Sequence, residues 1–130
     1  MNHEKVKLTC VMRRDLRNSD GHKIPKGKLM AQAGHAYVGA VLQNQNRPTP
    51  YNQEVLNLWL RGSFFKIALG VDSEAELLEI YEKAKAAGLN VVLITDAGHT
   101  EFEKPTITCI GIGPDYERKI DQITSKLRGY

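Results

Sequence analysis

The 130-residue sequence predicts an α/β fold, and three observations carry that expectation. Short apolar runs of strand length alternate along the chain with longer segments of helical periodicity. Gly, Pro and capping residues punctuate the boundaries between them. The composition, 42% hydrophobic and 25% charged, is that of an ordinary globular chain. This length fits one domain, residues 1–130, able to bury a core without covalent staples.

Taken in order, residues 5–12 (Lys-Val-Lys-Leu-Thr-Cys-Val-Met) begin alternating and end apolar, as a strand entering a core does. Residues 13–26 carry Asn18, Ser19, Asp20, Gly21 and Pro25, which is loop chemistry. A helix is predicted from Lys28 to about Gln45, with Leu29, Ala33, Ala36 and Ala40 repeating at helical spacing. Pro48 and Pro50 break it, and Tyr51–Leu60 reads as a shorter second helix. Phe64–Val71 is a strand. Ser73 and Glu76 form a capping box for a helix that stops at Gly88. Asn90–Thr95 is a buried strand, residues 96–105 a loop, and Thr106–Ile112 a strand closed by Gly113-Pro114. An amphipathic helix over residues 116–127 ends the chain. The order β-α-α-β-α-β-β-α implies a mainly parallel sheet, with the short 96–105 link allowing one antiparallel pair.

Several function classes are excluded. No apolar run approaches the roughly 18 residues of a membrane span, and the N-terminal residues lack the apolar stretch of a secretory signal, so a cytoplasmic protein is expected. Cys10 and Cys109 each sit in an apolar run and read as two buried thiols. His3, His22, His35 and His99 are too scattered for a metal motif, so no metal is expected. Net charge is +3, but residues 1–66 hold eleven of the 18 Lys and Arg against four of the 15 Asp and Glu. A basic half beside an acidic half fits either a polyanion-facing surface or a solvated face.

Lys28, Gln32 and His35, at i, i+4 and i+7, share one side of the predicted helix, where they face either a cleft or solvent. Lys26-Gly27-Lys28 opens that helix, and a helix start after a Gly-containing loop can hold phosphate. It is not a P-loop, because five residues rather than four separate Gly21 and Gly27, and Leu29 replaces the magnesium-holding hydroxyl. Asp96-Ala97-Gly98-His99-Thr100 follows an apolar strand, where side chains of α/β sheets line ligand crevices. A simple Asp-Gly turn is the alternative. Gly111-Ile112-Gly113-Pro114 lacks the third glycine of a dinucleotide fingerprint and reads as a turn. No Ser stands in a nucleophile elbow, and neither Cys is paired with a base.

Five segments together resemble the type-II peptidyl-tRNA hydrolases. They are residues 11–16 (Val-Met-Arg-Arg-Asp-Leu), residues 26–36 (Lys-Gly-Lys-Leu-Met-Ala-Gln-Ala-Gly-His-Ala), residues 96–100, residues 108–114 (Thr-Cys-Ile-Gly-Ile-Gly-Pro) and residues 120–124 (Ile-Asp-Gln-Ile-Thr). The resemblance implies a three-layer α/β/α fold around a four-stranded mixed sheet, often a homodimer. It implies hydrolysis of the ester between a peptide and tRNA without a cofactor. The family's Lys, Asp and two Thr fall on Lys28, Asp96, Thr100 and Thr108, which become the expected catalytic residues. Gln32, His35, Arg13, Lys26 and His99 are expected to bind substrate, with Arg14 and Lys23 helping to steer the tRNA. Asp96 is expected to orient or deprotonate the attacking water.

The sequence departs from the family pattern at four places. The loop over residues 17–25 is longer, His99 stands for the usual Arg, Glu101 for Gln, and Lys104-Pro105 for a Pro-Gly turn. The changes at 99 and 101 lower positive charge beside the expected site. They motivate a rival reading, in which the fold survives as a non-catalytic tRNA- or RNA-binding module.

Overall fold

The computed structural model describes residues 4–130, so His3 lies outside the described residues. The elements are β1 (Val6–Arg13), α1 (Lys26–Gln45), α2 (Pro50–Arg61), β2 (Lys66–Val71), α3 (Glu74–Ala86), β3 (Val91–Asp96), β4 (Thr106–Tyr116), α4 (Glu117–Thr124) and β5 (Arg128–Gly129). The three-layer arrangement expected from the sequence is present. Helices α1 and α2 cover one face of the sheet, and α3 and α4 cover the other.

Alternation along the strands sorts the core into these two layers. Val11, Leu69, Val71, Ile110 and Ile112 pack with Leu77, Ile80 and Ala84 of α3 and with Ile120 of α4. On the opposite face, Val6 and Leu8 meet Ala40, Val55 and Trp59, and Cys10, Met12 and Cys109 meet Ala36. Both cysteines are free and buried, as their apolar surroundings predict.

Two expectations about the sheet need correction. It has five strands in the order β3-β4-β1-β2-β5, not four. The fifth is only Arg128–Gly129, too short to leave a sequence signal, and it pairs antiparallel with β2. The sheet is also not mainly parallel. Only β1 and β2 run parallel, while β1·β4, β3·β4 and β2·β5 are antiparallel. The physical reason is β4: it follows β3 through a short loop and is inserted beside β1, so it opposes both neighbours.

Strand β4 also runs through Gly113-Pro114 rather than stopping there. Its pairing with β1 jumps from Ile112↔Thr9 to Asp115↔Lys7, and a bulge of this kind accommodates a proline inside a strand. The Gly111-to-Pro114 segment is therefore strand, not turn. Gly111 has a packing role as well, because a Cβ there would stand 2.4 Å from Ala36 O. Helix α1 rests directly on β4 at this point.

Local signals behave as their chemistry dictates. Thr49 and Ser73 cap α2 and α3 through their side chains, and Gly88 takes the positive φ of 77° just past α3. Glu76 returns its carboxylate to the Asp72 N–H at 3.0 Å, closing the predicted capping box one residue early. The buried line of α1 is Gln32, Ala36, Ala40 and Asn44, with Leu29 and Ala33 half-buried beside it. Helix α4 ends at Thr124, short of the predicted Leu127. Among the described residues no helix is long and apolar enough to cross a membrane, and no group of three or more His, Cys, Asp or Glu could hold a metal ion.

Candidate active site

The first turn of α1, the end of β3 and the start of β4 meet at one end of the sheet. Lys28 lies in that first turn, whose N-cap is Pro25 and which carries no acidic side chain. The positive end of the helix is therefore not neutralised from within. Lys28 Nζ donates to Asp96 Oδ1 at 2.8 Å and to Thr100 Oγ1 at 2.7 Å. An ammonium has three donors, so one remains for a ligand.

Asp96 is buried, with its second carboxylate oxygen accepting the Gly98 N–H at 3.2 Å. The segment is an Asp-Gly turn, and its Asp96 is also half of an ion pair. The Lys28 ammonium holds the Asp96 carboxyl below its usual range, the Gly98 N–H and the charge of His99 act the same way, and burial opposes them. Asp96 is thus ionised at neutral pH but a weak proton acceptor. The loop that carries it is pinched shut at Gly98, where φ is 86° and a Cβ would lie 2.4 Å from the backbone of Lys104.

A second pair lies beside the first. Gln32 and Thr108 are both buried, and Thr108 Oγ1 donates to Gln32 Oε1 at 2.6 Å. Strict alternation would send Thr108 to the α3 side with Ile110 and Ile112. Instead, the pairing with β3 passes from Ile94↔Cys109 to Thr95↔Ile107, so Thr108 is an extra residue on β4 without an opposite number. Such a bulge re-aims a side chain, here toward α1. Cys109 Sγ donates to Gln32 O at 3.4 Å and ties the same turn of α1 to β4.

Of the predicted site residues, Lys28, Gln32, Asp96, Thr100 and Thr108 come together. Lys26, His35 and His99 are exposed, and His99 contributes to the site through its charge on Asp96. Arg13 is half-buried and already engaged. Its guanidinium grips Asp15 through two bonds of 2.9 Å, which raises its own pKa, and donates to Ile107 O at 2.9 Å. Sequence reasoning missed Phe102, which is buried with Leu16 and Ile24 and anchors the 97–105 loop against the 14–25 segment. The signal was available: one aromatic between Glu101 and Glu103 in an otherwise polar loop.

Residues 6–130 match a protein-family model, Peptidyl-tRNA hydrolase PTH2. A peptidyl-tRNA hydrolase of Methanocaldococcus jannaschii is 40% identical over 123 residues, covering 95% of this chain and 98% of that protein. Peptidyl-tRNA hydrolases of Methanopyrus kandleri (41% over 121 residues; 93% of this chain, 95% of that protein) and Sulfolobus acidocaldarius (42% over 124 residues; 95% and 98%) are similar over equal spans. The chain belongs to the peptidyl-tRNA hydrolase PTH2 family.

Proposed function

We propose that this protein hydrolyses the ester bond of peptidyl-tRNA, releasing a peptide carboxylate and a tRNA with a free terminal ribose hydroxyl. The observation that carries this reading is the Lys28–Asp96–Thr100 cluster beside the buried Gln32–Thr108 pair. The family and its curated relatives support the substrate.

Ester hydrolysis needs a placed water and donors for the oxygen that becomes negative. The spare Lys28 N–H at a helix start supplies one such donor. Gln32 Nε2 supplies another, because its Oε1 is occupied by Thr108. Asp96 orients the water rather than removing its proton outright, since a carboxylate held this low is a poor base. The water oxygen bonds to the ester carbon, the bond to the ribose oxygen breaks, one water proton passes to that oxygen, and the other is released to solvent as the peptide leaves as a carboxylate. Thr100 holds the Lys28 ammonium, and Thr108 holds the Gln32 amide.

Lys26 and His35, exposed on α1, and His99 at the loop tip contact the tRNA, with Arg14 and Lys23 adding long-range attraction. Arg13 braces the entrance of β4 from its bond to Ile107 O. On this reading residues 1–130 act as one domain in the cytoplasm, as a homodimer and without a cofactor.

The test is hydrolysis of N-acetyl-aminoacyl-tRNA by the purified protein and by Asp96→Asn. Turnover by wild type with loss in the folded variant supports the reading. Binding of tRNA without turnover by wild type replaces it with a non-catalytic tRNA-binding role.

A further inference from the structure

We propose that an apolar trough on the other side of α1 holds an unpaired nucleobase from the 3′ end of the tRNA. The inference rests on the reading of the site given above and names a second contact for the same substrate. The trough exists because α1 and α2 leave the outer part of β2 uncovered. Its floor is Cys10, Met12 and Ala68, its walls are Leu29, Met30 and Tyr130, and its volume is about 390 Å³. Met30 is 70% exposed and Tyr130 51%, so the rim presents a flexible thioether and an aromatic ring to solvent.

Charge decides the occupant. Lys26 stands exposed at the rim, while the Arg14 guanidinium, 5.8 Å from the centroid of the Tyr130 ring, is already engaged by Arg128 O, Gly129 O and the Asp72 carboxylate. Among the described residues no Asp or Glu lines the trough. The cleft of about 850 Å³ between the 16–19 and 102–106 segments differs, since its Arg13, Arg17 and Lys104 are interleaved with Glu74 and Glu103. An apolar side chain of the peptide needs no cations around it. An aromatic wall beside an exposed cation, Lys26, is the chemistry that stacks a base and holds its phosphate.

Position agrees. Lys26 and Leu29 flank Lys28 in the first turn of α1, and the trough opens at the same end of the sheet as Asp96. Its β1 floor lies two strands from β3, about 10 Å across the sheet. An aminoacyl ester at Lys28 therefore leaves its own nucleotide, or the one before it, within reach of the trough.

The experiment fills the trough with Ala68→Phe, an exposed strand position where an aromatic is well tolerated. Binding of a CCA trinucleotide is titrated, and KM and kcat are measured for N-acetyl-glycyl-tRNA and N-acetyl-phenylalanyl-tRNA. The expected result is about tenfold weaker trinucleotide binding and about tenfold higher KM on both substrates, with kcat little changed. If Ala68→Phe is misfolded, Tyr130→Ala is read the same way. Trinucleotide affinity equal to wild type, or a wild type that does not bind it, overturns the proposal. A KM effect confined to the phenylalanyl substrate assigns the trough to the peptide instead, and a shift in sedimentation with unchanged trinucleotide binding assigns it to a second copy of the chain. Both overturn it. The trinucleotide arm needs no turnover, so failure of the hydrolase reading is separable from failure of this one.

Discussion

The Thr108 hydroxyl donates a hydrogen bond to Gln32 Oε1 across 2.6 Å, and that one bond decides which end of the amide is left to donate. Thr108→Val keeps the side-chain shape and removes the bond. We expect kcat to fall about tenfold with KM nearly constant, because the loss falls on transition-state contacts. Thr108→Ser should recover most of the rate. An unchanged kcat in Thr108→Val would show that the amide needs no orienting partner.

On the proposed reading Lys28 and Asp96, which are ion-paired at 2.8 Å, act as a unit, so their losses should not add. Each of Lys28→Ala and Asp96→Asn is expected to lower kcat on N-acetyl-aminoacyl-tRNA by roughly a hundredfold or more. The double variant should be far less impaired than the product of the two. Single-turnover rates with all three proteins check this, and a strictly multiplicative double variant would separate the two roles.

The Asp96 shift also fixes a direction for acid stability. Its folded pKa lies below the ordinary value of 3.8, so the ion pair contributes stability that is complete above that value and is lost as pH falls through the folded pKa. Removing the ammonium with Lys28→Met takes away the largest influence that lowers the Asp96 pKa and leaves burial opposed only by the Gly98 N–H and His99, which raises that pKa and moves the acid unfolding midpoint upward. The cost at neutral pH should be about 2 kcal/mol, less than for a fully buried pair because Lys28 keeps contact with solvent. Acid titrations of wild type and Lys28→Met followed by circular dichroism measure both effects.

Gly111 joins the fold to the site. A Cβ there would stand 2.4 Å from Ala36 O and 2.9 Å from Ala36 C, both backbone atoms of α1, so α1 must move. Gly111→Ala is expected to cost about 1–3 kcal/mol and to lower kcat at temperatures where the protein remains folded. Thermal unfolding together with turnover tests this, and full activity would mean that α1 tolerates the shift without disturbing Lys28.

Binding of tRNA should weaken steeply with salt, because contacts to phosphate release counterions. Titration across roughly 50–200 mM salt measures the slope. Affinity independent of salt would exclude Lys26 and Arg14 from phosphate contact.

Much of this architecture is legible in the chain because apolar periodicity is a local property. Leu77, Ile80 and Ala84 announce the inward face of α3, and Ser73 announces its start. The number and direction of strands are not local. Nothing near Thr106 says that β4 will slide between β3 and β1, and Arg128–Gly129 has no periodicity to read. Lys28 and Asp96 were candidates from their positions at a helix start and a strand end, and the family resemblance singled them out. Gln32 was harder to place, since a polar residue on the α1 stripe reads equally as solvent-facing, and its burial depends on a partner 76 residues away. The engaged state of Arg13 was equally hidden, because its third partner, Ile107 O, becomes a neighbour only after the sheet has formed.

The bulge in β4 has a consequence for how such a site can arise. Ile107 faces α3 and Cys109 faces α1, so a strand written without Thr108 already alternates correctly and could pair with β3 in unbroken register. The residue that orients the glutamine is thus a single insertion into an otherwise complete ladder. Deleting it leaves both hydrophobic layers with their own side chains, so the scaffold can outlive the Thr108–Gln32 bond, and a plain sheet can acquire that bond by lengthening one strand by one residue.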